Sequence, residues 1–173
     1  MKNRIDWEGL AKQLGTVRND GESTGTDDGL RALELIVGES RLREAVDYYV
    51  NDRPGSELVR MVLAIIRPWS SMNRCYEIYQ ESLDIETKRS TVELLRVVAD
   101  RRVLAWIERF LDDPDPGIQA WGAGVIDQLL WRGLAQPDEC EALLRKAEQH
   151  SNDVVRQTAT TVRRYLRSRE ESA

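Results

Sequence analysis

Helix openings of one kind recur along this 173-residue chain at about the spacing of a helix pair, which leaves few folds open to it. Ser56-Glu57-Leu58-Val59-Arg60, Asp115-Pro116-Gly117-Ile118-Gln119 and Asn152-Asp153-Val154-Val155-Arg156 each set a capping residue three places before a branched apolar residue. A long polar donor follows in each, and a degenerate copy runs Glu86-Thr87-Lys88-Arg89. The donors at 60, 89, 119 and 156 lie 29, 30 and 37 residues apart. A unit of that length is one helix pair, which cannot bury its apolar face alone and stacks on its neighbours. The expected fold is all-α: an α-solenoid of about four to five antiparallel helix pairs in a right-handed superhelical stack. An N-terminal helix and flexible polar loop over 1–25 are expected to precede the stack, which covers 26–173.

Apolar spacing and punctuation locate the helices. Residues 5–14 carry Trp7, Leu10 and Leu14 on one side, and the stretch from Gly15 to Asp28 is too polar to pack and reads as a mobile loop. Gly38 stops a helix over 26–37, and another follows over 40–50. Ser56 is expected to cap a helix that Pro68 ends. Further helices are predicted over 71–81, 86–99, 101–111, 116–132, 137–148 and 152–168. Gly122 and Gly124 fall inside one of them, which implies close approach of a neighbouring helix or, alternatively, a hinge. No strand-like alternation or hairpin turn signal is present.

Composition narrows the setting. No stretch approaches the roughly 18 consecutive apolar residues of a membrane span. The first eight residues have no apolar run behind their basic side chains, so a cytoplasmic protein without a signal peptide is expected. Cys75 and Cys140 have no partner spacing and read as reduced structural thiols. The net charge of −5 argues against coating nucleic acid. Yet 21 of the 25 basic residues are arginine, whose planar fork suits carboxylates and phosphates; a GC-rich genome explains the same bias.

Asn152, Val155, Arg156 and Ala159 match the way second helices open in HEAT-type, armadillo-like repeat proteins: a cap, an aliphatic residue, an arginine and then a small residue. Asp115, Ile118, Gln119 and Gly122 depart by having glutamine, and Ser56, Val59, Arg60 and Leu63 depart at the small position. Over roughly residues 40–168 the chain therefore resembles that family. The resemblance implies that the second helix of each pair lines a concave face, and it implies architecture rather than activity.

On helical wheels the last helix packs through Val154, Val155, Thr158, Val162, Tyr165 and Leu166, with Arg156, Arg163 and Arg167 opposite. The helix after Ser56 packs through Leu58, Val62 and Ile66, leaving Arg60, Ala64 and Arg67 outward. Arg89 and Arg96 stand opposite Leu94, Leu95 and Val98, while the remaining second helix presents Ala120, Gly124, Asp127 and Trp131. The outward row Arg60, Arg67, Arg89, Arg96, Arg156, Arg163 and Arg167, broken by Asp127 and Trp131, has two readings. It pairs with nearby acids such as Glu93 and Asp100, or it forms a groove that anchors an acidic partner.

Other residue types point to structure. Trp69, Trp106 and Trp121 read as core, Tyr76 and Tyr79 as packed one turn apart, and His150 as part of a cap. Asp112-Asp113-Pro114-Asp115 lacks the terminal Glu of a calcium loop and reads as a turn. No metal site, cofactor motif, phosphate loop or catalytic triad is visible, so the chain is not expected to be an enzyme. The leading expectation is a protein-binding module, monomeric or weakly dimeric, of the kind that includes bacterial immunity proteins blocking a cognate toxin. The alternatives are a nucleic-acid-binding relative of HEAT-like DNA glycosylases and an assembly chaperone or scaffold.

Overall fold

The computed structural model describes residues 4–18 and 21–171. Among them are ten α-helices: α1 (Trp7–Leu14), α2 (Thr26–Val37), α3 (Glu39–Val50), α4 (Ser56–Ile66), α5 (Trp69–Glu81), α6 (Ile85–Val98), α7 (Leu104–Leu111), α8 (Pro116–Trp131), α9 (Pro137–Glu148) and α10 (Asp153–Glu170). A 3-10 turn over Arg101–Val103 leads into α7. The chain is all-α apart from one small hairpin, and no helix is long and apolar enough to cross a membrane among the described residues.

That hairpin corrects the expectation of a structureless polar loop. Gly15 closes α1 in the left-handed conformation at φ 73°, which turns the chain back so that the Thr16 amide and hydroxyl both reach Ala11 O. Val17–Arg18 (β1) then pairs antiparallel with Gly21–Glu22 (β2), and Ser23 N donates to Thr16 O. Thr16 is buried.

Short polar side chains open the helices as their chemistry requires. Asp6, Asp84, Asp115 and Asn152 accept from the amides of Gly9, Thr87, Ile118 and Val154, satisfying donors that a helix start leaves free. The α4 start is different, and corrects the expected Ser56 cap. Gly55 holds the cap position at φ 99°, and Ser56 lies inside the first turn with its hydroxyl donating to Arg53 O at 2.6 Å.

Helices alternate between two rows. Each of α4, α6, α8 and α10 packs on the helix before it, and α4–α6, α6–α8 and α8–α10 pack on one another in sequence. Connections from α3 onward are two to five residues long, so consecutive helices turn back on each other. The core runs through both rows, from Val46, Met72 and Cys75 through Leu95, Ile107 and Phe110 to Val125, Leu144 and Val162. Arginines tie the ends of the second row: Arg102 donates to Arg67 O, Arg132 to Val97 O and Arg169 to Leu130 O, each meeting carbonyls near a preceding helix terminus.

Gly122 and Gly124 mark close approaches. A Cβ on Gly122 would stand 2.7 Å from Phe110 Cβ, and one on Gly124 would stand 2.8 Å from Arg96 Cδ. Tyr76 stacks on Trp106 at 4.3 Å, and Tyr79 meets Phe110 edge-on at 4.9 Å. Trp69, expected in the core, is 39% exposed and lies between Trp106 and the Arg102 guanidinium at the surface. Trp106 and Trp121 are half-buried.

Candidate functional site

Within the arginine row, Arg89, Arg96 and Arg163 reach a neighbouring helix and Arg156 the turn before its own helix. Arg89, in the first turn of α6, forms a bidentate pair with Asp115 at 2.9 and 2.6 Å and also meets Glu86. Asp115 is at the same time the α8 cap, so one carboxylate fastens two helices. The Arg89 guanidinium holds its pKa down to about 2 and is itself pushed up. Arg96 lies over the Trp121 ring at 5.0 Å, filling the space that Gly124 leaves. The expected intrahelical partners are engaged elsewhere, Asp100 on Arg102 and Glu93 beside Tyr49.

The other members are placed as follows. Arg163 bridges Glu141 and Glu148 of α9 at 2.6 and 2.7 Å, and hydrogen bonds from Arg163 and Arg145 hold Glu141 at about 2. Arg156 folds back on its own turn, onto Asp153 and the carbonyls of His150 and Ser151. Arg60 meets Glu57, and Arg67 closes α4 in the left-handed region at φ 48°. Arg167 is exposed without an ion pair among the described residues. Gln119 continues the pattern by accepting from the Asn152 amide and donating to Asp113 O. Of the long polar residues that recur in the sequence, Arg89 and Gln119 thus fasten one helix to the next, while Arg60 and Arg156 bond within their own turns.

What remains open is apolar. Counted from the capping position, residues 3, 7 and 10 are Ile118, Gly122 and Val125 in α8 and Val155, Ala159 and Val162 in α10, all buried. In α6 the same places hold Thr87, Thr91 and Leu94, of which the last two are buried. In α4 they are Leu58, Val62 and Ile65, exposed by 70, 44 and 63%. Met61, between them on the wheel, is 54% exposed. Of the expected packed stripe Leu58, Val62 and Ile66, only Ile66 is buried; Leu63 and Ala64, the latter expected outward, complete the buried side, with Val59 partly buried. The reason is position. α4 packs on α3 and α6 through its other side, and α2 shares a surface cavity with Ile66 and Arg67 at its C-terminal end.

Sequence reasoning missed this face, although a signal was present. Eight of the eleven α4 residues are apolar, more than one buried stripe can use. No charged side chain falls within the stripe, and it exposes on the order of 400 Å² of apolar surface, the size at which patches on monomers tend to be functional.

Trp131 and Asp127 sit near the far end of the second row. Trp131 is 62% exposed and rests edge-on against Tyr165 at 5.4 Å. Tyr165 is itself anchored by donating to Asp127 O, so the indole is held while its face stays in solvent. Asp127 is half-buried, with its carboxylate near Gln128.

A surface cavity of about 440 Å³ between α2 and the ends of α4 and α8 is lined by charges of both signs, several of them already engaged. Glu34 caps α5 through the amides of Trp69 and Ser70, Arg102 holds Asp100, and Arg31 faces Asp28. Burial raises the Cys140 thiol to about 11 and pushes Cys75 up further, so neither is poised as a thiolate. His150 accepts the Asn152 amide and meets Leu111 O, a turn-closing role. No group of three or more His, Cys, Asp or Glu able to hold a metal occurs among the described residues.

Comparison with protein-family models, with curated proteins and with solved structures returns no match. The reading of function therefore rests on the geometry.

Proposed function

We propose that this chain is a non-enzymatic protein-binding module, a HEAT-like α-solenoid that docks another polypeptide against its row of second helices. The alternation of helices between two rows supports the solenoid reading, as do the fasteners from Arg89 to Asp115 and from Asn152 to Gln119. One observation carries the binding reading: the α4 face of Leu58, Met61, Val62 and Ile65 sets four large apolar side chains side by side in water. Trp131, held edge-on by Tyr165, adds an anchor of the residue type that dominates binding energy.

Occlusion of a cognate protein, as in an immunity protein that blocks a toxin, is the specific form we favour. A nucleic-acid groove draws less support, because Arg89, Arg96 and Arg163 face carboxylates and an indole instead of solvent. Purification of the chain from its own cells is expected to bring down a second polypeptide in fixed stoichiometry. Leu58→Asp with Ile65→Asp, or Trp131→Ala, should release that polypeptide without loss of helicity. An unchanged complex in all these variants would place binding elsewhere and contradict the reading.

A further inference from the structure

The groove beside the α4 stripe is lined almost entirely by one sign of charge. It lies between the N-terminal parts of α4 and α6, encloses about 640 Å³, and is lined by Asp52, Glu57, Asp84, Glu86 and Glu93. Among the described residues that line it, Arg53 is the one cation, and its guanidinium rests over the Tyr48 ring. Glu57 and Glu86 meet Arg60 and Arg89 of their own helices, but Arg89 turns its bidentate edge to Asp115. Asp52, Asp84 and Glu93 form no ion pair among the described residues. Tyr49 registers the surplus: burial first, then the Glu93 carboxylate, push its hydroxyl up to about 12.

Glu57 stands one turn before Met61, so the acidic groove begins where the apolar stripe ends. Leu83 and Ile85, on either side of Asp84, are exposed as well. An apolar centre with a charged rim is the anatomy of a protein interface, and the sign of the rim selects the partner. Here phosphates and acidic side chains are repelled, whereas a lysine or arginine is held. At the other end of α4 the cavity beside Arg67 is lined by both signs and selects neither. Carboxylates alone would accept any cation. The stripe beside them restricts the occupant to a polypeptide that brings apolar side chains too.

We infer that the occupant of the α4 face is a basic polypeptide: an apolar ridge packs on Leu58, Met61, Val62 and Ile65, and lysine or arginine side chains flanking that ridge enter the groove against α6. This rests on the reading of α4 as a docking face and gives the charge of what docks there. That charge is the reverse of the acidic partner an arginine groove would take.

Two fluorescein-labelled amphipathic peptides of about 18 residues, long enough to hold a helix, test this by anisotropy on the full chain. Both carry the same leucine face; one has lysine flanks and the other glutamate flanks. The lysine peptide is expected to bind at least about 10-fold more tightly at low salt. Its advantage should shrink as salt approaches 1 M, where the screening length is about 3 Å. Glu57→Gln with Glu86→Gln should remove most of that advantage, and both side chains are well exposed, so helicity should be unchanged. Leu58→Gln with Ile65→Gln, which adds no charge, should weaken the lysine peptide about 10-fold. Equal binding of the two peptides, lost in Leu58→Gln with Ile65→Gln, overturns the basic partner and leaves the docking face standing. Lysine-peptide binding that ignores those two glutamines is attraction to charge alone and overturns the inference, as does no binding of that peptide. In the last case, release of the co-purified polypeptide by Leu58→Asp with Ile65→Asp would still uphold docking on α4.

Discussion

Gly122→Val is expected to destabilise the protein by about 3 kcal/mol or more, lowering its melting temperature by roughly 6–12 °C. The α-carbon of Gly122 packs directly on α7, and any Cβ there would lie 2.7 Å from Phe110 Cβ and 3.4 Å from its carbonyl carbon. Neither atom can swing away. Phe110 is fully buried and wedged edge-on against Tyr79, whose hydroxyl donates to the buried Asp113 carboxylate at 2.8 Å. Displacing α7 would disturb that chain of contacts. Gly124→Ala makes the contrasting case, since its Cβ would meet only the flexible Arg96 side chain, and alanine gains up to about 1 kcal/mol of helix propensity. Its melting temperature should change by no more than a few degrees. If thermal melts show the two variants alike, the close approach of α7 is not what requires glycine at 122.

Breaking the Arg89–Asp115 fastener should have the second largest effect. Asp115→Ala removes the α8 cap together with a bidentate charged pair, for a loss of about 2–4 kcal/mol in urea unfolding. Arg89→Ala should cost less, because Asp115 keeps the Ile118 amide. The double variant should then fall measurably short of the sum, the mark of direct coupling. The same pair sets an acid dependence. Asp115 titrates at about 2 in the folded chain, below the ordinary carboxylate range. Its contribution is therefore complete near neutral pH and is lost as pH falls from about 4 towards 2. In Arg89→Ala that part of the acid loss should shrink; additive single costs with an unchanged acid limb would show that the pair carries no coupling.

Much of the fold is legible in the chain. Asp84, Asp115 and Asn152 open helices where short acceptors should, and Gly38 and Pro68 mark stops where expected. Gly122 and Gly124 announce close approach because glycine inside a helix is costly without a reason. The hairpin was not legible, since it depends on the left-handed Gly15 and a two-residue pairing too short to leave a pattern.

The site was legible only in part. A wheel separates apolar from polar sides but does not know which neighbours exist. It assigned Leu58 and Val62 to packing because they share an apolar side with Ile66, yet of the three only Ile66 is covered. The arginines were legible as a row but not in their partners. Their outward placement suits a groove, but Asp115, Trp121 and Glu141 reach them from other helices, which no spacing along one helix reveals. Register adds to this: Arg60 and Arg89 lie five residues after their caps, Gln119 and Arg156 four, so the repeated donors are not equivalent in space.

The claim that α4 is a docking face is tested most directly by methionine oxidation in the native assembly. Met61 sits at the centre of the stripe and is 54% exposed in the isolated chain, whereas Met72 is fully buried and serves as an internal reference. In the assembled state Met61 should resist peroxide nearly as well as Met72, and it should become reactive when the chain is diluted to isolated molecules. Equal reactivity of Met61 in both states would mean that nothing covers α4, and would contradict the account.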